Sequence, residues 1–413
     1  MFPVQVIDGD AVAALARALE LSPITARCLM GRGITGKDQA RGFLAPRLGA
    51  LRPPRKLAGL EAAVARIAAA ITDGQVIACF GDYDCDGVTS TALWGRALSA
   101  MGAREPILRV ASRERGYGFT VADAEALADA GAGLIITCDV GTSDVAAIAA
   151  ARARGIAVVV IDHHTVPAGD PALHPALALI NPHRTDSGFP FRHMASVGLS
   201  FYVAAAVKTR LVEAGWLSPA GTRIAPDIRD LLDLVAIGTI ADLMPLCAEN
   251  RILVAAGLAR LRTQPSPGIA ALIRGAGKAA TRPIDERMVS WTIAPRLNAP
   301  GRLGDARPAL DLLLASDGEA ETAAEALEKT NDDRRAAQEH VVSEAMAMLE
   351  PGDPGPCVVV SGTGWASGVV GIAAAKISEQ TGKPACVIAA SQETGLGIGS
   401  ARSAGGINLY EAL

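Results

Sequence analysis

Seven consecutive residues, Gly81-Asp82-Tyr83-Asp84-Cys85-Asp86-Gly87, place three aspartates at alternating positions just after the apolar run Val76–Phe80. A second apolar run, Leu134–Cys138, ends in Asp139, and a third, Ala157–Ile161, ends in Asp162-His163-His164. Residues just past the C-terminal ends of parallel strands project into the crevice where open α/β sheets bind ligands. Aspartates at this density repel one another and need protons, solvent or cations to coexist. Hard divalent cations accept carboxylate oxygens, and imidazole shifts the choice toward Mn²⁺ over Ca²⁺. Two such ions about 3.5–4 Å apart, sharing a carboxylate, would activate water and stabilise the leaving oxygen in phosphate-ester hydrolysis.

Each feature also has a plainer reading. The DxDxDG run resembles the start of an EF-hand calcium loop, but no bidentate Glu stands at the twelfth position and the flanks read strand–helix. Asp139 alone would read as a helix cap, and His163-His164 alone as an ordinary loop pair. Their joint occurrence at three successive strand ends favours the metal reading.

The elements that must position these residues are short, continuously apolar runs at Val76–Phe80, Pro106–Val110, Leu134–Cys138 and Ala157–Ile161, separated by alanine-rich helical segments. That alternation predicts βαβ units, a mostly parallel sheet and helices on both faces. Residues 1–55 read as a helical segment and linker ending near Arg52-Pro53-Pro54-Arg55-Lys56, whose basic groups could meet phosphates. Residues 56–315 read as the main α/β domain, mainly helical after about residue 195. Residues 316–350 read as a charged connecting helix, opened by the capping-box pattern Ser316-Asp317-Gly318-Glu319 and stopped by Pro351 and Gly352. Residues 351–413 return to α/β, with strands Val358–Ser361 and Ala385–Ala389 around a helix over Val370–Gln380.

The bulk numbers set bounds. A net charge of −4 argues against a simple DNA-coating protein, and 4% aromatic residues argue against many base-stacking platforms. Seven cysteines without a CxxC pair do not make a disulfide scaffold. With no signal-peptide pattern and no apolar stretch of spanning length, a cytoplasmic protein away from membranes is expected.

This set of residues resembles the DHH phosphoesterases. The first three motifs are those quoted above, and the resemblance continues through Gly116-Tyr117-Gly118, Ser196-Val197-Gly198, Gly238–Leu246 and Ala294–Gly304. It is strongest to the family's single-strand-specific 5′→3′ exonucleases. It implies an α/β fold in which a parallel-sheet DHH domain is joined by a long helix to a smaller α/β DHHA1-like domain. Ser400-Ala401-Arg402-Ser403 resembles the start of that smaller domain, which is expected to be cut short here because its late glycine- and histidine-containing motif would lie beyond Leu413.

Carried over residue by residue, the resemblance implies metal ligation by Asp82, Asp84, Asp86, Asp139, His163 and Asp242, with two ions, Mn²⁺ or Mg²⁺. Asp84, Asp139, His163 and His164 would form the catalytic set, Asp139 bridging the ions and His164 facing the scissile phosphate. Asp162 would orient the neighbouring histidine. Arg302 and one of Arg113 or Arg115 would grip phosphates, with Arg109 and Arg296 nearby in sequence; Arg296 and Arg302 are expected in a Pro/Gly-rich loop. Ser400 and Arg402, beside Gly364–Gly371, would hold the 5′ end, and Trp365 would either stack on a base or pack. Ala366 stands where the family usually has histidine.

The implied activity is metal-dependent 5′→3′ hydrolysis of single-stranded DNA in repair and recombination, by a monomer working beside other DNA-repair proteins. The alternative is a phosphodiesterase acting on short oligonucleotides or cyclic dinucleotides. A pyrophosphatase is disfavoured, since Asp82 stands where those enzymes carry histidine. A non-catalytic scaffold would be free to lose the ligand set, which is present.

Overall fold

The computed structural model describes residues 7–113, 116, 118–218, 220–349 and 355–412. Helices α1 (Gly9–Leu19), α2 (Pro23–Met30) and α3 (Lys37–Leu44) close a small core of their own, with Val12, Leu15, Leu29 and Ile34 inside.

The main domain begins with α4 (Leu60–Thr72) and continues β1 (Ile77–Gly81), α5 (Cys85–Ala100), β2 (Ile107–Val110), α6 (Val121–Asp129), β3 (Leu134–Cys138), α7 (Val145–Ala153), β4 (Ala157–Ile161) and β5 (Ala178–Ile180). The sheet order is β2-β1-β3-β4-β5, every pair parallel. Apart from the edge strand β2, the strands are buried on both faces, as a parallel sheet between helical layers requires. Ile77, Cys79, Leu134, Ile136, Val159 and Ile161 enter the core shared with α4 and α5. Ala78, Phe80, Ile135, Val158 and Val160 enter the opposite core, with Leu127 of α6 and Ile148 of α7. This is the period of two expected of strands. Ile136→Ala would remove a fully buried side chain from the middle of the sheet at a cost of about 2–5 kcal/mol.

Register fixes the site. Gly81 pairs with Cys138, and Cys138 with Ile161, so the three strands finish level. The next residues prolong the ladder: Asp82 N–H donates to Cys138 O at 3.1 Å, Asp139 N–H to Ile161 O at 3.0 Å, and Asp162 N–H to Ile180 O at 3.0 Å. Three aspartates therefore share one rim.

Beyond the sheet come α8 (Ser196–Glu213), α9 (Leu232–Ala241), α10 (Ala248–Thr263), α11 (Pro267–Gly275) and α12 (Glu286–Met288). A π-helical turn, Val289–Ile293, leads into α13 (Ala294–Leu303), followed by α14 (Arg307–Leu314). Helix α9 is buried from Leu232 to Ile240, which is why its sequence shows no polar face. Arg296 and Arg302 lie on α13, not in a loop: Pro300 sits inside the helix.

The long helix α15 (Ala320–Ala347) starts one turn later than the sequence suggests. In the preceding turn the Glu319 carboxylate accepts from both Ser316 N–H and Ser316 Oγ–H. Pro351 and Gly352 lie outside the described residues. Helix α15 enters two cores, through Ala324 and Leu327 at one end and Val341, Val342 and Ala345 at the other. The second core belongs to β6 (Val358–Thr363), α16 (Val370–Thr381), β7 (Ala385–Ala390) and β8 (Gly397–Arg402), before a final turn, α17 (Leu409–Ala412). Strand β8 pairs antiparallel with β7. Among the described residues no helix is long and apolar enough to cross a membrane.

Candidate active site

The turn from β1 into α5 is held by Asp84, which caps the helix: its Oδ1 accepts from Asp86 N–H at 2.9 Å and Gly87 N–H at 3.1 Å. Gly87 permits the tight return, since a Cβ there would lie 2.4 Å from Asp82 N. Asp86, in the first turn of α5, points at the start of α8 and accepts from Ser196 N–H at 2.6 Å and Val197 N–H at 2.9 Å. Asp139 adopts φ +64°, a left-handed conformation that aspartate tolerates better than most residues and that is found at functional sites. Asp242 arrives from elsewhere, as the residue capping the C-terminus of α9.

These groups converge. His163 Nε2 lies 3.1 Å from Asp139 Oδ1, 3.4 Å from Asp242 Oδ2 and 3.7 Å from Asp86 Oδ2. Three overlapping sets offer ligand atoms within 4.8 Å of one another: Asp82 with Asp84 and Asp139; Asp86 with His163 and Asp242; Asp139 with His163 and His164. Asp82 Oδ1, Asp139 Oδ1 and Asp242 Oδ2 are buried without a hydrogen-bond partner. Buried carboxylate oxygens left without donors are costly, and the donor set of oxygens plus imidazole fits hard or borderline divalent cations. Burial, reinforced by the Asp84 charge, pushes Asp82 and Asp242 each up to about 7. Asp86 and Asp139 are held well above the ordinary range by burial and by their acidic neighbours. Burial, with the His164 charge, lowers His163 to about 4, leaving a neutral imidazole.

His164 behaves oppositely. Its Nδ1 is 2.8 Å from Asp162 Oδ1, and this hydrogen bond raises it to about 9 against the opposing effect of burial. Burial would raise Asp162, but the bond and charge of His164, with Thr142, pull it well below the carboxylate range. Asp162 Oδ1 also takes His163 N–H at 2.7 Å and His164 N–H at 3.1 Å, while Oδ2 takes Thr142 N–H at 3.0 Å. Asn181 braces the same loop, its Nδ2 donating to His164 O at 2.9 Å and Thr142 Oγ1 at 3.0 Å.

Cations gather beside the acids. Arg113 Nε donates to Gly301 O at 3.1 Å, and its guanidinium lies 4.2 Å over the Tyr83 ring. Arg302 donates to Gly368 O at 3.3 Å. A Cβ on Gly368 would sit 1.9 Å from Arg302 O, and one on Gly371 would sit 3.1 Å from both Ser400 Oγ and an Arg402 guanidinium nitrogen. Burial, then the charges of Arg113 and Arg402, lower Arg302 from its ordinary value, while the Asp84 charge acts on it from the acidic side. Arg302 of α13 and Arg402 of β8 thus lie near one another where the smaller core packs on α13, with Asp84 close to Arg302.

A model of the DHH family, N-terminal domain, matches residues 76–239. The single-stranded-DNA-specific exonuclease RecJ of Bacillus subtilis (strain 168) is 36% identical over 408 residues, covering 98% of this chain and 49% of that protein. RecJ of Escherichia coli (strain K12) is 36% identical over 402 residues, covering 95% of this chain and 68% of that protein. The chain belongs to the RecJ family. A crystal structure of RecJ from Thermus thermophilus in complex with Mn²⁺ superposes with a TM-score of 0.81 at 29% identity, over 99% of this chain and 56% of that one. This RecJ-family chain spans about half the length of the Bacillus subtilis relative.

Within the RecJ frame, Asp82, Asp84, Asp86, Asp139, His163, His164 and Asp242 come together; Arg113 and Arg302 lie close to them, and Ser400 and Arg402 lie beyond Arg302, beside Gly371. Arg115 and Tyr117 lie outside the described residues. Arg109 is exposed on the outer strand β2. Arg296 is 5% exposed and pairs through Nε and Nη2 with the two carboxylate oxygens of Glu328, tying α13 to α15. Trp365 does not offer a stacking face: it is 5% exposed in the core of the smaller domain and its indole N–H donates to Glu344 at 2.6 Å. Three residues escaped the sequence reading. Asn298 Oδ1 accepts Cys85 N–H at 2.8 Å and so holds the start of α5, and it lies inside a quoted motif. Asn181 carries no local signal. Neither does Arg334, held by the neutral amides of Asn331 and Gln338 at the edge of a cavity of about 270 Å³ that also meets Arg302.

Proposed function

We propose that this chain hydrolyses phosphodiester bonds of single-stranded DNA from the 5′ end, using two divalent cations, Mn²⁺ or Mg²⁺. Asp82, Asp84, Asp86, Asp139, His163 and Asp242 would hold the ions, Asp139 belonging to two of the three candidate ligand sets. The observation that carries the reading is the trio of buried, unpartnered oxygens on Asp82, Asp139 and Asp242, opposed by Arg113, Arg302 and Arg402. When bound, such cations supply Lewis-acid polarisation of the phosphate and activation of water. His164, kept protonated by Asp162, places a fixed positive charge where a phosphate oxygen gains charge. The arginines and Ser400 would hold the terminal phosphates, beside the point where Gly368 packs against Arg302. Residues 1–55 would serve as an accessory unit, 56–315 as the catalytic domain, 316–350 as the connection and 351–413 as part of a strand-holding domain. The setting would be cytoplasmic DNA repair and recombination, beside other repair proteins.

The test is digestion of a single-stranded oligonucleotide labelled at either end, with Mn²⁺, beside an Asp139→Ala control. Mononucleotides released from the 5′ end, and neither by the control nor from duplex, are expected. Hydrolysis confined to dinucleotides or cyclic dinucleotides would replace this reading with that of a small-substrate phosphodiesterase.

A further inference from the structure

A cavity of about 1430 Å³ opens between the N-terminal helices and α10, away from the carboxylate cluster. It exceeds the roughly 300–1,000 Å³ of a drug-sized ligand site, so its dimensions suit a chain segment. Ile34, Phe43, Leu44, Leu246 and Ile252 give it apolar walls, and Arg32, Arg41, Arg47 and Arg251 bring positive charge. Glu20 is the one carboxylate among the described residues lining it. Arg251 lies 3.5 Å over the Phe43 ring and donates to Phe43 O. Arg32, Arg41 and Arg47 are exposed.

The local charge is unlike that of the rest of the molecule. Residues 1–56 hold nine Lys and Arg against four Asp and Glu, a net +5; the whole chain is −4, so the remainder carries −9. A basic unit on an acidic protein is the electrostatic footprint of a polyanion site.

The cavity is also connected to the reactive centre. The segment 243–248 leaves Asp242 directly, and its last three residues, Leu246, Cys247 and Ala248, line the cavity. Leu243 and Ala248 both have positive φ, +56° and +44°, so the segment is turned sharply at both ends. Along a parallel route, the His183 ring lies 6.1 Å from His193, and His193 lies 6.1 Å from Phe191, which borders the cavity. His183 N–H donates to Asn181 Oδ1 at 2.9 Å, and Asn181 Nδ2 donates to His164 O at 2.9 Å.

We propose that this arginine-rimmed cavity binds single-stranded DNA, holding the part of the substrate strand that lies beyond the reactive centre. The strand's phosphates meet Arg32, Arg41 and Arg47, while its sugars and bases lie against the apolar walls and the Phe43–Arg251 stack. The proposal rests on the strand-hydrolysis reading and extends it to an accessory site.

The experiment is fluorescence anisotropy in metal-free buffer, with single strands of about 6 and about 30 nucleotides, lengths chosen to fall short of and to exceed ordinary strand footprints. The wild-type chain should bind the longer strand at least tenfold more tightly. The triple variant Arg32→Glu, Arg41→Glu, Arg47→Glu should lose that advantage, and its salt slope for the longer strand should fall by about 2, from about 0.7 per lost phosphate contact. The corresponding triple lysine variant should keep most of the advantage, which separates charge from misfolding. An unchanged length dependence in the glutamate variant overturns the proposal. So does saturable binding there of an acidic, leucine-rich peptide that the longer strand cannot displace, which would assign the cavity to a protein partner. Hydrolysis is scored separately with Mn²⁺. A chain that binds long strands through these arginines yet cuts nothing would sink the catalytic reading alone. One that cuts while ignoring the arginines would sink the accessory site alone.

Discussion

The Asp86 carboxylate spans the gap between two helices, accepting the N–H groups of Ser196 and Val197 at 2.6 and 2.9 Å while standing 3.7 Å from His163 Nε2. One side chain therefore serves both the fold and the candidate metal set. Asp86→Ala should abolish metal-dependent hydrolysis and also lower stability by about 1–3 kcal/mol, because two buried donors lose their acceptor. Asp139→Asn should abolish hydrolysis too, but leave the metal-free protein as stable as the wild type or more so, since it removes a charge from a repelling cluster. Urea unfolding of both variants without metal separates the two roles.

Metal binding and pH should be linked. Asp82 and Asp242 rise to about 7 in the folded chain, against an ordinary value of about 3.9. A carboxyl raised by folding binds its proton more tightly in the native state, so native stability falls as pH climbs from about 4 to about 7. The metal-free protein should therefore melt lower at pH 7.5 than at pH 5. Mn²⁺ should restore more at the higher pH and should displace protons as it binds, which calorimetry in buffers of different ionisation enthalpy detects. A melting temperature rising with pH in the absence of metal would contradict this account.

Asp162 should act through His164. Asp162→Asn removes the bond that holds the imidazole near 9, and the ring should return toward about 6.5, read by NMR titration of metal-free protein. In the wild type this pairing stabilises the fold fully below about pH 6.5 and no longer does so above about 9. Turnover at pH 8 should drop roughly 10–100-fold, as for other lost partners of active-site histidines. A variant whose His164 still titrates near 9 would show that the charge comes from elsewhere.

The close packing of the residues before α16 on α13 depends on the lack of a side chain at Gly368. A Cβ there would overlap Arg302 O, so Gly368→Ala must push α13 and the start of α16 apart, costing about 1–3 kcal/mol. Expected is a rise of about tenfold or more in KM for a single strand with Mn²⁺ affinity unchanged, measured by steady-state kinetics and metal titration.

Strands β1, β3 and β4 were legible because each is a continuous apolar run buried on two faces, and the acids at their ends mark the rim; β2, at the sheet edge, is only partly buried. Strand β5 has only three residues, too few to show a period. Strand β8 reads Gly-Ile-Gly-Ser-Ala-Arg, and its two glycines hide it; ideal Cβ atoms at Gly397 and Gly399 would lie 2.6 and 3.0 Å from the Ile388 side chain. Helix α13 was mistaken for a loop because Pro295, Pro300 and Gly301 read as breakers. Gly301 is present for space, since a Cβ there would lie 2.3 Å from Tyr83 O. Asp242 carries no strand-end signal, because a buried helix rather than the sheet delivers it; only resemblance pointed to it. Trp365 had two readings, and its burial in the smaller core, with its indole N–H held by Glu344, decides for packing.

Asp82, at the end of β1, and Asp242 bracket the other four strands of the parallel sheet and helices α5 through α9. The first acid leaves the ribosome long before the last, and the contacts that unite them span most of the domain, a topology that folds slowly and as a whole. A nascent or prematurely terminated chain lacking α9 cannot assemble the centre, whatever its N-terminal part has begun to form. The order of synthesis thus withholds the complete carboxylate–histidine cluster until the domain that must confine it has closed.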